Sequence, residues 1–165
     1  MRRLLLTLAT FVTICLPAAA QDGGWSHYRH PEFGFTINLP LEQFGPVEAD
    51  ASIVRLRHVE ADALLEVYGG HNSDGLSLQE FVDFLSQADR IAEITYHAAG
   101  RTWFVISGYY RREDTSEPFP IFYAKFMFTP DLERFSAFEI SYPDRHRDRL
   151  DPVVEALEAS LRPPL

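Results

Sequence analysis

The segment Trp103-Phe104-Val105-Ile106 narrows the possible folds most, because four bulky apolar residues follow one another inside a strand-like stretch, residues 102–110. Successive side chains of a strand point to opposite faces of a sheet, so both faces of this strand are apolar. A strand of that kind has to be covered on both sides. The sequence therefore predicts a sheet with a layer on each face, and it predicts that Trp103 is buried in a central strand.

Other strand patterns precede and follow this segment. Alternating or β-rich stretches bounded by turn residues occupy residues 33–38, 52–58, 63–69, 93–97, 121–128 and 135–142. Turns near residues 61–62 and 99–100 join two pairs of these stretches into hairpins. The cross-strand partners then expected are Arg57 with Glu66, Leu56 with Val67, Tyr96 with Trp103, and Ile94 with Val105.

Two helices are indicated by local signals. Ser77-Leu78-Gln79-Glu80 is a capping box, and apolar residues recur at helical spacing after it through Ala88. Asp151-Pro152 supplies a capping residue and a proline suited to a first helical position, and an amphipathic stretch runs from there to Leu161. Together with the strands, these helices predict an α+β fold, a mainly antiparallel sheet flanked by a mid-chain helix and a C-terminal helix.

Residues 1–20 have the features of a cleaved signal peptide. Arg2 and Arg3 form a basic start, an apolar run follows, and Ala18-Ala19-Ala20 is a small-residue cleavage site. The alternative is lipid attachment at Cys15, which the bulky Ile14 disfavours. The expectation is an exported protein, periplasmic or secreted, whose mature part is one α+β domain over residues 21–165 without a transmembrane segment.

Composition excludes several functions for that mature part. The single cysteine lies in the leader, so disulfides and thiol chemistry are excluded from the remainder. Without Arg2 and Arg3 there are 13 basic and 24 acidic residues, a net charge of −11. This balance argues against binding to nucleic acid, which requires clustered basic charge. The basic cluster at residues 145–149 could recognise an acidic or phosphorylated group, but nearby aspartates make a solvated helix entrance the simpler interpretation.

Metal and catalytic motifs are weak. His27 and His30 would point to opposite faces of a strand, and His58 with Glu60 supplies two ligands where a stable site needs three or four. Residues 71–75 resemble a turn more than a calcium loop, since the spaced acidic ligands are missing. There is no Gly-x-Ser-x-Gly elbow and no phosphate-binding loop. No catalytic residue, metal ligand or cofactor is predicted.

Several segments resemble a known pattern of core residues. The segments are Tyr28, residues 33–37 before Pro40, Thr95-Tyr96, residues 101–109, residues 138–143 and residues 151–154. They are similar to small exported bacterial proteins of unknown function and, in their order, to the PsbP-like fold, which is named for an extrinsic subunit of photosystem II and shared with a Ran-binding nuclear-import factor. The resemblance covers nearly all of residues 21–165 and implies a binding or accessory role. It matches no site motif, so it carries over no functional residue.

The predicted function is that of a non-catalytic exported binding or accessory module that contacts a protein or envelope component. The alternative is a small periplasmic hydrolase or metal-dependent enzyme whose site is assembled from residues distant in sequence. Aromatic residues around the polar loop at residues 111–118 suggest a contact surface. Its members are Tyr109, Tyr110, Arg111, Arg112 and Phe119.

Overall fold

A computed structural model of the chain describes residues 24–49, 53–111 and 119–165. The elements in chain order are β1 (Ser26–Arg29), β2 (Thr36–Leu39), β3 (Gly45–Ala49), β4 (Ile53–His58), β5 (Ala63–His71), α1 (Leu78–Ser86), β6 (Ile91–Ala99), β7 (Trp103–Tyr110), β8 (Ile121–Phe128), β9 (Arg134–Tyr142), a short 3-10 turn (Asp144–His146) and α2 (Arg147–Ser160). None of these helices is long and apolar enough to cross a membrane.

Seven of these strands form one antiparallel sheet in the order β3-β4-β5-β9-β8-β7-β6. Strands β1 and β2 form a separate antiparallel pair. With α1 in mid-chain and α2 after the last strand, the predicted α+β class and its arrangement of helices are confirmed.

Each face of the sheet carries its own buried core. The α2-side core joins α2, the β1–β2 region and the inward residues of β4, β5 and β9, including Leu65, Phe138 and Leu157. The α1-side core joins α1 to β7, β8 and β9 through phenylalanines. Phe81 of α1 lies with its ring centroid 5.4–6.0 Å from those of Phe104, Phe126, Phe128 and Phe135. The prediction of a sheet covered on both faces is therefore correct.

The expected position of Trp103 is wrong. Strand β7 lies one place in from the edge strand β6, and Trp103 is its first residue, half-buried and part of neither core. Its ring lies against a lysine instead, with Lys125 Nζ 6.0 Å from the ring centroid. The next residue, Phe104, is fully buried and stacks on Phe126 with 4.7 Å between ring centroids.

Both predicted hairpin registers are wrong, because each turn differs from the expected one. The β4–β5 turn runs over residues 59–62, with Asp62 at a left-handed φ of 47°, so Glu66 pairs with Arg55 rather than Arg57. Leu56 pairs with Leu65. The β6–β7 turn lies beyond Gly100, whose N–H donates to the Trp103 carbonyl at 2.8 Å.

The later β6–β7 turn changes the partners of β6. Tyr96 pairs with Ser107, and Ile94 pairs with Gly108. Two irregularities in the ladder bring the β6 backbone close to Gly108, where a Cβ would stand 1.9 Å from the Glu93 carbonyl oxygen. Glycine is thus required at this point of close backbone approach.

The sequence also misplaced the start of the last helix. α2 begins at Arg147, after the 3-10 turn, and Pro152 is its sixth residue instead of its first. Asp151 lies inside the helix, so its side chain does not cap the first turn. Its Oδ1 accepts a hydrogen bond from the Tyr142 hydroxyl at 2.8 Å. The capping box of α1 is confirmed, with Ser77 and Glu80 bonded reciprocally.

The C-terminal residues tie the two ends of the described chain together. The Arg162 N–H donates to the Thr36 carbonyl at 2.9 Å, and the Leu165 N–H donates to the Phe33 carbonyl at 3.2 Å. Ser136 Oγ on β9 donates to the Arg162 carbonyl at 2.8 Å. The tail therefore links β2 to the central strand of the large sheet.

Substitution of Phe104 by alanine is expected to lower the free energy of unfolding by about 3–5 kcal/mol, because it empties the stack beneath α1. Substitution of the neighbouring Trp103 is expected to cost about 1–2 kcal/mol, since less apolar surface returns to water. Urea denaturation measures both losses. Equal losses for the two variants would contradict the different burial of these residues.

Candidate functional site

A cavity of about 320 Å³ lies between α2 and the sheet beside the edge strand β6. We call it the tyrosine cleft, because four of its residues are tyrosines. It is lined by Thr95, Tyr96, Ser107, Gly108, Tyr109, Ile121, Tyr123, Tyr142, Arg147, Asp151, Val154, Glu155 and Glu158. Its volume is at the lower end of the range for small-ligand sites.

The register of the strands gathers the tyrosines. Tyr96 on β6 pairs with Ser107, which in turn pairs with Tyr123 on β8. Ile121 pairs with Tyr109 on one side and with Tyr142 on the other. Because side chains alternate between faces, these residues lie on the face that carries α2. The tyrosines thus come together from four different strands.

Helix α2 contributes three carboxylates to the cleft. Asp151, Glu155 and Glu158 follow one another at spacings of four and three residues, which places them on one side of the helix. Two of them accept hydrogen bonds from tyrosine hydroxyls, Asp151 from Tyr142 at 2.8 Å and Glu158 from Tyr123 at 2.9 Å. Burial and the bonded carboxylates raise the pKa of both tyrosines, so the hydroxyls stay protonated and continue to donate.

The charges in the cleft are only partly neutralised. Lys125 Nζ lies 3.3 Å from Glu158 Oε1 and donates to the Glu158 carbonyl at 3.1 Å. Arg147 pairs with Asp144 at 3.0 Å, at the entrance to α2. The Glu155 side chain is exposed and, within the described part of the chain, makes no hydrogen bond or ion pair. The cleft therefore keeps an excess of negative charge.

The hydroxyl groups of the cleft are not arranged for nucleophilic catalysis. Ser107 Oγ donates to the Phe122 carbonyl at 2.8 Å, and no histidine is among the described lining residues. A serine nucleophile needs a base within hydrogen-bond reach of its hydroxyl. The arrangement offers aromatic surface, hydroxyl groups and carboxylates, which are groups that bind a ligand.

A second polar cluster lies on the opposite face of the sheet, around Glu139 of β9. Arg90 donates to both carboxylate oxygens of Glu139 at 2.9 Å, and the Tyr110 hydroxyl donates to Oε1. The Arg90 guanidinium also lies 5.1 Å from the centroid of the Tyr110 ring. Burial raises the pKa of the Glu139 carboxyl, against the opposing effects of Arg90 and Tyr110.

Both carboxylate oxygens of Glu139 are bonded to other residues of the chain. Glu66, the cross-strand neighbour of Glu139, is paired in the same way, with Arg55 Nε 2.7 Å from its Oε1. Two adjacent carboxylates are thus each held by an arginine. This cluster supports the fold, and it leaves the tyrosine cleft as the better candidate for a site.

Two residues of the contact surface predicted from the sequence, Tyr109 and Tyr110, lie on opposite faces of the sheet. Tyr109 lines the tyrosine cleft, whereas Tyr110 faces the other side, stacked on Phe122 with 4.5 Å between ring centroids. Arg111 is exposed at the end of β7, and Phe119 is 39% exposed. Arg112 lies outside the described residues. Neighbours in sequence on a strand point in opposite directions, so Tyr109 and Tyr110 lie on different faces of the sheet.

The sequence did not identify most residues of the cleft. Asp151 was expected to cap a helix, and Tyr96, Tyr123, Tyr142, Glu155 and Glu158 were not selected as site residues. The Asp-x-x-x-Glu-x-x-Glu spacing on a helix was the available signal. It could not be interpreted without the correct start of α2 and the registers of β6 and β8.

The histidines and the basic cluster take ordinary structural positions. His30 is buried and its Nδ1 accepts hydrogen bonds from the N–H groups of Glu32 and Phe33, both at 3.2 Å. Among the described residues, no group of three or more histidine, aspartate or glutamate side chains could hold a metal ion. In the basic cluster, Arg149 pairs with Glu60 at 3.3 Å.

Comparison with known proteins identifies the fold. No family model and no curated protein sequence matches the chain. A solved structure does match, that of the cyanobacterial PsbP protein CyanoP from Synechocystis sp. PCC 6803, with a TM-score of 0.61 and 16% sequence identity over 92% of this chain and 98% of that one. The chain therefore has a PsbP-like fold, as the resemblance of its core residues predicted.

The bond between Arg90 and Glu139 gives a prediction with a definite pH dependence. Replacing Arg90 by alanine leaves a buried carboxylate without its cation, so at neutral pH the free energy of unfolding is expected to fall by about 1–3 kcal/mol. Below its raised pKa, the Glu139 carboxyl is mostly protonated and neutral, and a neutral carboxyl needs no cation. The loss should therefore shrink as the pH falls from neutral through the raised pKa of Glu139.

Urea denaturation across that range measures the effect. Arg145→Ala is the control, since Arg145 is exposed and makes no hydrogen bond or ion pair with the rest of the described chain. A loss that is independent of pH, or one that Arg145→Ala reproduces, would show that Arg90 does not stabilise the ionised Glu139.

Proposed function

We propose that this protein is a non-catalytic, exported binding module that contacts a partner protein or another envelope component through the tyrosine cleft. Export is supported by the basic, apolar and small-residue segments of residues 1–20, which lie outside the described residues. A fold shared at 16% identity does not assign a function. The proposal therefore depends on the geometry of the cleft.

The proposal depends on one observation: an open cleft with aromatic and acidic side chains lies at the edge of the sheet. Tyr96 is 53% exposed on the edge strand, and Glu155 has no partner among the described residues. Tyrosines are favoured at protein interfaces because each offers an apolar ring and a polar hydroxyl. Both buried cores are filled, so these exposed groups are not needed to hold the sheet together.

The enzyme alternative receives less support from the same groups. A serine hydrolase needs a nucleophile and a base that touch each other, and a zinc hydrolase needs three protein ligands for its metal. In the cleft, the Ser107 hydroxyl is bonded to a backbone carbonyl, and the carboxylates of Asp151 and Glu158 accept from tyrosines. The described lining therefore offers binding groups and no activated group.

Site-specific photocrosslinking in intact producing cells tests the proposal. A photoreactive phenylalanine is placed at Tyr96 in the cleft, or at Phe84, which is 67% exposed on α1 on the opposite face of the sheet. A third position, Phe119, tests the surface near the polar loop. We expect discrete crosslinked species from position 96 and none from position 84.

Each outcome of this experiment bears on the proposal. Crosslinks from position 96 that are absent at position 84 support the cleft as the contact site. Crosslinks from position 119 alone would assign the contact to the loop side and contradict the proposal, as would the absence of any crosslink from position 96. Thermal denaturation of the purified variants establishes that each is folded.

A further inference from the structure

Tyrosine–carboxylate pairs occur at three places in the described chain, and two of them are completed by a cation. Tyr110 donates to Glu139, which is held by Arg90 at 2.9 Å. Tyr123 donates to Glu158 at 2.9 Å, and Lys125 lies 3.3 Å from the same carboxylate. In each case, a basic side chain supplies the positive charge that the acceptor group requires.

The third pair has no cation bonded to its carboxylate. Tyr142 donates to Asp151 Oδ1 at 2.8 Å, but no lysine or arginine of the described residues forms a hydrogen bond or ion pair with Asp151. Arg147, one turn earlier on α2, attracts Asp151 electrostatically, but the carboxylate it is bonded to is that of Asp144, at 3.0 Å. The Tyr142 hydroxyl fixes one oxygen of the Asp151 carboxylate, and the side chain is exposed at the cleft.

The groups around this pair favour a positive charge. Glu155 lies one turn further along α2 from Asp151, so the two carboxylates are neighbours on the same side of the helix. The cleft lining contains one arginine against three carboxylates. Tyr96 and Tyr109 provide aromatic rings, which attract a cation placed over their faces.

We propose that the tyrosine cleft takes a basic side chain of the partner protein, with its cation between Asp151 and Glu155 and its stem against the tyrosine rings. This inference depends on the proposed binding function and specifies its partner. A cavity of about 320 Å³ has room for one long side chain. Arginine fits better than lysine, because a planar guanidinium both bonds to carboxylates and stacks on aromatic rings.

A pair of small probes isolates the charge. N-acetyl-arginine amide carries the guanidinium, and N-acetyl-citrulline amide has nearly the same shape without the charge. Each is titrated at low salt into the protein labelled with nitrogen-15, and the amide signals of Tyr96, Ser107 and Glu155 are followed by NMR. We expect saturable shifts with the arginine probe, and binding of the citrulline probe weaker by about threefold to fivefold.

Matched variants locate the charge that the probe recognises. The double variant Asp151→Asn, Glu155→Gln is expected to bind the arginine probe about threefold to fivefold more weakly, with little effect on the citrulline probe. Glu133→Gln is the control, because Glu133 is exposed in the turn at the opposite end of β8 and β9. Arg147→Gln should tighten binding of the arginine probe, since it removes a like charge from the lining.

These measurements distinguish the charge preference from the binding function itself. Equal binding of the two probes, or equal weakening by Glu133→Gln, would overturn the preference for a cation. If the preference for a cation is overturned but crosslinks from position 96 are still formed, the protein binds a partner at the cleft through other groups. Shifts with the arginine probe that are lost in the double variant, while the variant keeps its melting temperature, support the inference.

Discussion

The need to bury both faces of one sheet determines where the other elements lie. The strands β7, β8 and β9 carry large apolar residues on alternating sides, so α1 covers one face with phenylalanine contacts and α2 covers the other with leucines and valines. Burial of this apolar surface is the main source of stability for a domain of this size. Glu139 reaches the interior with partners close by, since it lies between Arg90 and Tyr110.

The tyrosine cleft is a consequence of the same arrangement. The sheet is seven strands wide, whereas α2 packs on β9 and on the β1–β2 pair. The face of the sheet continues past β9 to β7 and β6, where Tyr109 and Tyr96 line the cleft together with the side of α2. The edge of α2 and these strands thus form the two walls of the cleft. Its position depends on the width of the sheet, and its chemistry depends on which residues the strand registers bring there.

The sequence predicted the elements of this fold better than it predicted their pairing. Strand β8 was expected over residues 121–128 and is found there, and the capping box begins α1 as expected. Alternation and capping are local signals, so a single segment is enough to recognise them. Registers depend on turn geometry, and a left-handed Asp62 or a turn beyond Gly100 shifts every partner along the hairpin.

The same reason explains why the site was not found in advance. Its residues come from four strands and one helix, and each has an unremarkable local setting. Tyr142 is a buried core residue, and Asp151 looks like a helix cap in the sequence, so the hydrogen bond between them was not expected. Strand β3 and the β1–β2 pair were also not predicted as they are found, because Gly45-Pro46 and the short β1 carry little strand signal.

The bonds between the C-terminal tail and the β2 region affect the order in which parts of the domain fold. Strands β1 and β2 pair only with each other, and they are held by contacts with α2 and by the Arg162 and Leu165 amides. Closing a contact between such distant parts of a chain costs entropy that local contacts do not. Strands β1 and β2 therefore gain their final position only when α2 and residues 162–165 pack against them. The position of the first two strands is in this way coupled to the packing of the last helix, so the β1–β2 pair is expected to be among the last parts of the domain to become ordered.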